Sequence, residues 1–163
     1  MSDTVHRVNS FFRRLSRFQF VLILSIILWL LAALLNIIFS SIESSDSVFY
    51  VSMDMNKGFL QLVFTPLIVA PIVETFVCQY LPYYFLSKIS IFNQKKYLIL
   101  ITSALIFGLM HFSSLFYMIY GVIIGMVLMY GYMIKVAGDK RTFLLIVLCH
   151  SILNLGILIR NVL

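Results

Sequence analysis

With 163 residues, 62% of them hydrophobic and only 11% charged, and a mean hydropathy of +1.05, this chain has too little polar surface to wet a soluble globule of its size. The formal net charge of +6 does not indicate nucleic acid, because no basic stripe interleaved with aromatics exists. The basic residues sit in short clusters beside apolar runs: Arg7, Arg13, Arg14 and Arg17, then Lys88, Lys95 and Lys96, then Lys135, Lys140 and Arg141. That is the positive-inside pattern of a membrane protein, with attraction to anionic headgroups as a by-product.

The elements follow in chain order. His6 lies in a polar N-terminal tail and has no evident chemical task. Phe20 to Phe39, FVLILSIILWLLAALLNIIF, is long enough to cross a bilayer as a helix. It is too long for a signal-peptide core and no small-residue cleavage site follows, so it is read as an uncleaved first span with a cytoplasmic N-terminus. Ser40 to Lys57 is polar and fits an outside loop.

Phe59 to Leu86 is the second span. Pro66 and Pro71 interrupt its hydrogen-bond ladder and Pro82 comes near its end. A membrane tolerates this only where neighbours satisfy the freed carbonyls, so the helix is expected to pack inside the bundle.

Lys88 to Lys96 is a basic inside loop, Tyr97 to Phe112 a short third span and Ser113-Ser114 a turn. Leu115 to Ile134 is the fourth span, with Gly121 and Gly125 in the G-x-x-x-G spacing that lets two helix backbones approach. Thr142 to Ile159 is the fifth. The expectation is an all-α, multi-pass bundle of about five spans in a bacterial inner or plasma membrane. It is read as one domain, 1–163, with a motif-bearing core at about 59–160 and no linker or repeat. Cys78 and Cys149 lie within apolar runs and read as small hydrophobes rather than a disulfide.

Within the spans the ionisable residues are Glu74, His111 and His150, with the amides Gln79 and Asn154 beside them. An ionised group at a helix centre costs about 3 kcal/mol on insertion scales, so each such residue is a functional hypothesis by default. At 1.5 Å per residue, Glu74 lies roughly 21 Å from Lys88, His111 roughly 21 Å from Tyr97, and His150 and Asn154 roughly 14 and 20 Å from Arg141. All four fall in overlapping layers. His150 and Asn154, at i and i+4, project from nearly one face, and Phe107 and His111 share that relation. Cys149, next to His150, points about 100° away.

A buried carboxylate can activate water as a general base, and imidazole and amide groups can hydrogen-bond the oxyanion formed when that water attacks a carbonyl. Zinc or another divalent metal on Glu74, His111 and His150 is the rival arrangement, although H-E-x-x-H is absent. The aromatic run Tyr80 to Phe85 reads as interfacial or packing residues rather than a cofactor box.

The stretches APIVETFVCQ (Ala70 to Gln79), FGLMH (Phe107 to His111) and HSILN (His150 to Asn154) together resemble the CPBP family. These are the CAAX-prenyl-protease-like and bacteriocin-processing (Abi) intramembrane proteases, with the pattern E-E-x-x-x-R, F-x-x-x-H and H-x-x-x-N on successive helices. The resemblance covers about Gln61 to Asn154. It implies an intramembrane, glutamate-dependent endopeptidase that acts on a peptide or protein substrate at the bilayer, with no obligatory cofactor. Glu74 would be the water-activating base, His111 a partner to that water or to a metal, and His150 with Asn154 the oxyanion site. Phe107, Thr75 and Gln79 would be supporting residues. Thr75 and Gln79 depart from the family pattern, standing where it has a second Glu and an Arg. Two rival readings are a non-catalytic immunity or partner-binding protein of the same family and a small proton-coupled transporter; no inverted repeat supports the latter.

Overall fold

The structure is a computed structural model that describes residues 3–42, 58–136 and 139–162. All regular structure among them is helical. Helix α1 is Asp3–Arg14, α2 Arg17–Ile42, α3 Leu60–Leu86, α4 Ser90–Gln94, α5 Lys96–Leu109, α6 Leu115–Lys135 and α7 Thr142–Val162. The outside loop expected at Ser40 to Lys57 lies outside the described residues, apart from Ser40 to Ile42, which continue α2.

Four helices, α2, α3, α6 and α7, are long and apolar enough to span a membrane. The third expected span, Tyr97 to Phe112, is shorter than expected: α5 has 14 residues, roughly 21 Å, against a hydrocarbon core of about 30 Å. The N-terminal segment, expected as a polar tail, is instead the helix α1, with His6 exposed on it.

Helix α6 is the centre of the bundle, with 44% of its apolar window buried. Antiparallel to it runs α5, which packs where α6 has no side chains. A methyl at Gly125 would come 2.8 Å from Phe107 Cβ, and one at Gly121 would come 3.0 Å from Gly108 Cα. The G-x-x-x-G pair is thus the seat of α5, since dispersion contacts at short backbone separation drive association where lipid is as apolar as the helices. Helix α2 lies parallel to α7, and its Trp29 indole takes the place that a side chain at Gly156 would occupy. Phe20, Leu28, Ile124, Leu128, Ile146 and Leu153 form the core between these helices. On the outer surface Leu30 is 67% and Ile37 63% exposed, an apolar face of the kind that a bilayer covers.

The expectation that α3 packs inside the bundle is corrected: only 11% of its window is buried, the least of the four long helices. Two of its carbonyls near the prolines, those of Pro66 and Cys78, are nevertheless met by neighbouring helices. Pro82 cannot donate to the carbonyl four residues back, that of Cys78, and the Ser103 hydroxyl of α5 donates to it instead.

The basic clusters gather at one end. Arg17 holds Asp139 through Nε at 2.6 Å and Nη2 at 3.2 Å, joining the start of α2 to the α6–α7 connection. Tyr83 packs on Tyr132 and Tyr80 on Phe143, bringing the Lys88 end of α3 to the same side. The Arg17 guanidinium, helped by the Arg141 N–H, holds the Asp139 carboxyl below its ordinary value of 3.8. A folded value below the unfolded one contributes stability above about pH 4 that is lost as pH falls through the folded value. Asp139→Asn is therefore expected to lower thermal stability in detergent at pH 7, and its gap from the parental protein to close as pH falls through the folded value of Asp139. A gap independent of pH would remove the ion pair as its cause.

Candidate functional site

Glu74 stands in a short α-helical stretch, Ala70–Thr75, between two π-helical turns, Thr65–Val69 and Phe76–Tyr80. A π turn inserts a residue into the helical repeat and re-aims the side chains beyond it, and such turns concentrate at functional sites. In the first turn the Ala70 N–H reaches back to Thr65 O. The next donor in that register would be Pro71, which has no N–H, so Pro66 O is orphaned. Asn154 Nδ2 donates to it at 2.8 Å from α7. A carbonyl can only accept, so the NH2 side of this amide must face Pro66, leaving Oδ1 and one N–H for other partners.

That bond carries a separable prediction. Asn154→Ala strands a carbonyl and is expected to cost about 1–3 kcal/mol of stability. Adding Pro71→Ala returns a backbone N–H and should recover most of that loss in thermal unfolding. No recovery would mean that Asn154 stabilises the fold through something other than Pro66 O.

One turn below Asn154 on α7, His150 Nε2 lies 3.5 Å from Glu74 Oε2. This is an electrostatic contact at the outer limit of hydrogen-bonding distance. The imidazole is 3% exposed and the carboxylate 20%, so the acid keeps an open edge and the imidazole stands behind it. His150 Nδ1 has no hydrogen-bond partner among the described residues.

His111 departs from expectation: it does not lie within a span but in the turn that follows α5, half-buried. The end of α5 tightens there. His111 N–H bonds to Gly108 O at 2.9 Å, so Phe107 O loses its usual donor and lies 2.7 Å from His111 Nδ1. Because the carbonyl accepts, Nδ1 carries a proton and Nε2 is the nitrogen with a lone pair in the neutral ring. The Phe107 ring contacts both imidazoles, at centroid distances of 4.6 Å to His111 and 5.5 Å to His150. A side chain at Gly121 would press on the His111 ring, 3.2 Å from its Cγ. The motif Phe thus touches both histidines at once.

Glu74, His111, His150 and Asn154 therefore come from three separate segments to one region of the bundle. Phe107 joins them directly. Thr75 and Gln79, on the same helix as Glu74, are fully buried, and neither the Thr75 hydroxyl nor the Gln79 amide has a hydrogen-bond partner among the described residues. His6 stands apart on α1, and Cys149 turns its sulfur toward Val21 O on α2.

Tyr117 was not singled out from the sequence. Its ring meets the edge of His111 at 4.9 Å, and it interacts electrostatically with Glu74. The available signal was the expected turn at Ser113-Ser114. Ser114 caps α6, accepting from the Tyr117 N–H at 3.1 Å, which places Tyr117 in the first helical turn beside the preceding His.

Among the described residues no group of three or more His, Cys, Asp or Glu side chains is gathered closely enough to hold a metal ion. Glu74, His111 and His150 as placed do not fit one. What the arrangement offers is a carboxylate with an open edge, an imidazole nitrogen with a lone pair, a second imidazole against the carboxylate, and an amide.

The profile of the family described as Type II CAAX prenyl endopeptidase Rce1-like matches residues 56–156, well over half of the 163-residue chain. The matched range encloses all three motifs. No curated protein matches the chain, and no solved structure does.

Proposed function

The chain belongs to the Rce1-like family of type II CAAX prenyl endopeptidases, within the CPBP group, and on that premise we propose that it is an intramembrane endopeptidase using Glu74 as the base that activates water. The observation that carries this reading is the Glu74 carboxylate set against His150 at 3.5 Å at membrane depth, where an acid without a task is costly. A water between Glu74 and His111 Nε2 would lose a proton to the carboxylate and attack the scissile carbonyl of a peptide. His150 and the remaining amide N–H of Asn154 would donate to the oxyanion, and Glu74 would return its proton to the leaving amine. No covalent intermediate forms. The substrate is a peptide or protein segment that reaches the bilayer interior, and the scheme requires no metal or cofactor.

Comparison of membrane peptides from cells carrying the parental protein and the Glu74→Gln variant tests the reading. Peptides ending at one defined bond should appear only with the parental protein, and digestion in 18O-water should label the new carboxyl terminus. Identical peptide sets would end it. The Asn154→Ala, Pro71→Ala double variant sharpens the role of Asn154: stability should return without cleavage, because the backbone N–H repairs the helix and leaves the oxyanion without its donor.

The buried, unpartnered Thr75 and Gln79 favour one alternative, a family member that binds a membrane partner without cutting it. Such a protein would keep its biological effect in Glu74→Gln.

A further inference from the structure

The amphipathic helix α1 and the cleft beside it lie at the basic end of the bundle, away from the site above. Val5, Val8 and Phe11 are 37%, 37% and 52% exposed, and no residue of α1 is buried. The helix is held across the bundle by Tyr130, whose hydroxyl donates to Asn9 Oδ1 at 2.9 Å, and by the edge-on packing of Phe12 against Phe20. Its apolar residues recur at helical spacing, with Arg7 and Arg14 beside them. That is the make-up of a helix lying in the plane of a membrane interface.

Where α1 turns into α2, a cleft of about 490 Å³ opens between Arg13, Ser16, Arg17, Lys135 and Asp139. Lys135 is only 7% exposed. Its ammonium donates to Leu15 O at 2.7 Å and Arg13 O at 3.4 Å, leaving one N–H for a further acceptor. Asp139 is engaged by Arg17, so three cations share one carboxylate and the cleft carries an excess of two positive charges. A topological signal alone would leave such charges on solvated loops. Here one is buried and hydrogen-bonded into the wall of a concavity.

We propose that this cleft binds the phosphodiester headgroup of an anionic phospholipid, with the apolar stripe of α1 lying along its acyl chains. The cations complement the phosphate, and the cleft is continuous with helices that the bilayer already surrounds. A second copy of the chain fits this face less well, since a two-fold contact would bring the cleft's own excess positive charge against its like.

The test is native mass spectrometry of the full chain released from nanodiscs containing phosphatidylglycerol and phosphatidylcholine with matched acyl chains. The parental protein should retain phosphatidylglycerol preferentially, and Arg13→Gln, an exposed change that leaves the packing intact, should reduce that preference about fivefold. Lys140→Gln, equally basic but outside the cleft, should leave it unchanged. Lys135→Gln also removes the bonds to two carbonyls, so it is read beside Arg13→Gln. Equal retention of both lipids by the parental protein would overturn the proposal. So would an equal loss in Lys140→Gln, which would mean general surface attraction, or full retention in Arg13→Gln. Displacement of the lipid by millimolar inorganic phosphate would show a free-phosphate site instead, and a dimer abolished by Phe11→Ser without lipid preference would make α1 a subunit contact. Either result overturns it.

Discussion

Glu74→Gln is expected to slow peptide cleavage by about 10²–10⁴-fold, the range associated with removing a general base, while leaving membrane insertion and protein level at parental values. The amide keeps the shape of the acid and can still hydrogen-bond, so it isolates proton abstraction from packing. Because Glu74 is 20% exposed and opposed by His150, neutralising it also relieves the cost of a charge at membrane depth. The variant should therefore be as stable as the parental protein or slightly more so. A slow but stable enzyme is a signature that a merely structural acid would not produce. His111→Ala should be nearly as damaging to turnover, and it also removes the bond to Phe107 O. Parental cleavage rates in both variants would discard the mechanism.

Gly125→Ala should cost about 1–3 kcal/mol of stability, the usual range for overpacking a close contact. Its new methyl would lie 2.8 Å from Phe107 Cβ and 3.3 Å from Ala104 Cα, neither of which is the far end of a flexible side chain. Helix α5 must therefore move away from α6, taking Phe107 and the spacing of the two imidazoles with it. Cleavage at a temperature where the variant remains folded should then fall by more than the stability loss predicts. Gly121→Ala, 3.2 Å from His111 Cγ, should act on turnover in the same direction. Gly58, with nothing within 4 Å among the described residues, supplies the control: Gly58→Ala removes only a preferred helix N-cap, so it should leave the rate unchanged at the cost of about 1 kcal/mol or less of stability. If all three variants behave alike, the α5–α6 contact does not set the site.

Composition, apolar run lengths and the placement of charge were enough to determine a helical membrane bundle with its basic clusters at one end. Such properties follow from the bilayer acting as solvent, which each segment meets on its own account. The polar residues at depth were equally legible, because an ionisable group in an apolar run stands out whatever surrounds it. Which face of each helix meets protein was not legible. Lipid is as apolar as a helix interface, so the pattern that separates core from surface in water is nearly flat here. The prolines of α3 led to the expectation that it lies inside; it lies at the edge, because single donors from α7 and α5 suffice for Pro66 and Cys78.

Only the folded chain decided that His111 sits in a turn, where the shortened α5 frees Phe107 O for its ring, and that Tyr117 completes its surroundings. The helical form of the N-terminal segment was likewise not expected, because its polar composition reads as a tail and only the folded chain shows what its few apolar residues pack against. Proximity between distant segments is set by where backbones can approach, and glycines at Gly108, Gly121 and Gly125 settled that for the histidine turn. Residue identity named the chemical groups. Close helix packing, a three-dimensional property, set the distances between them.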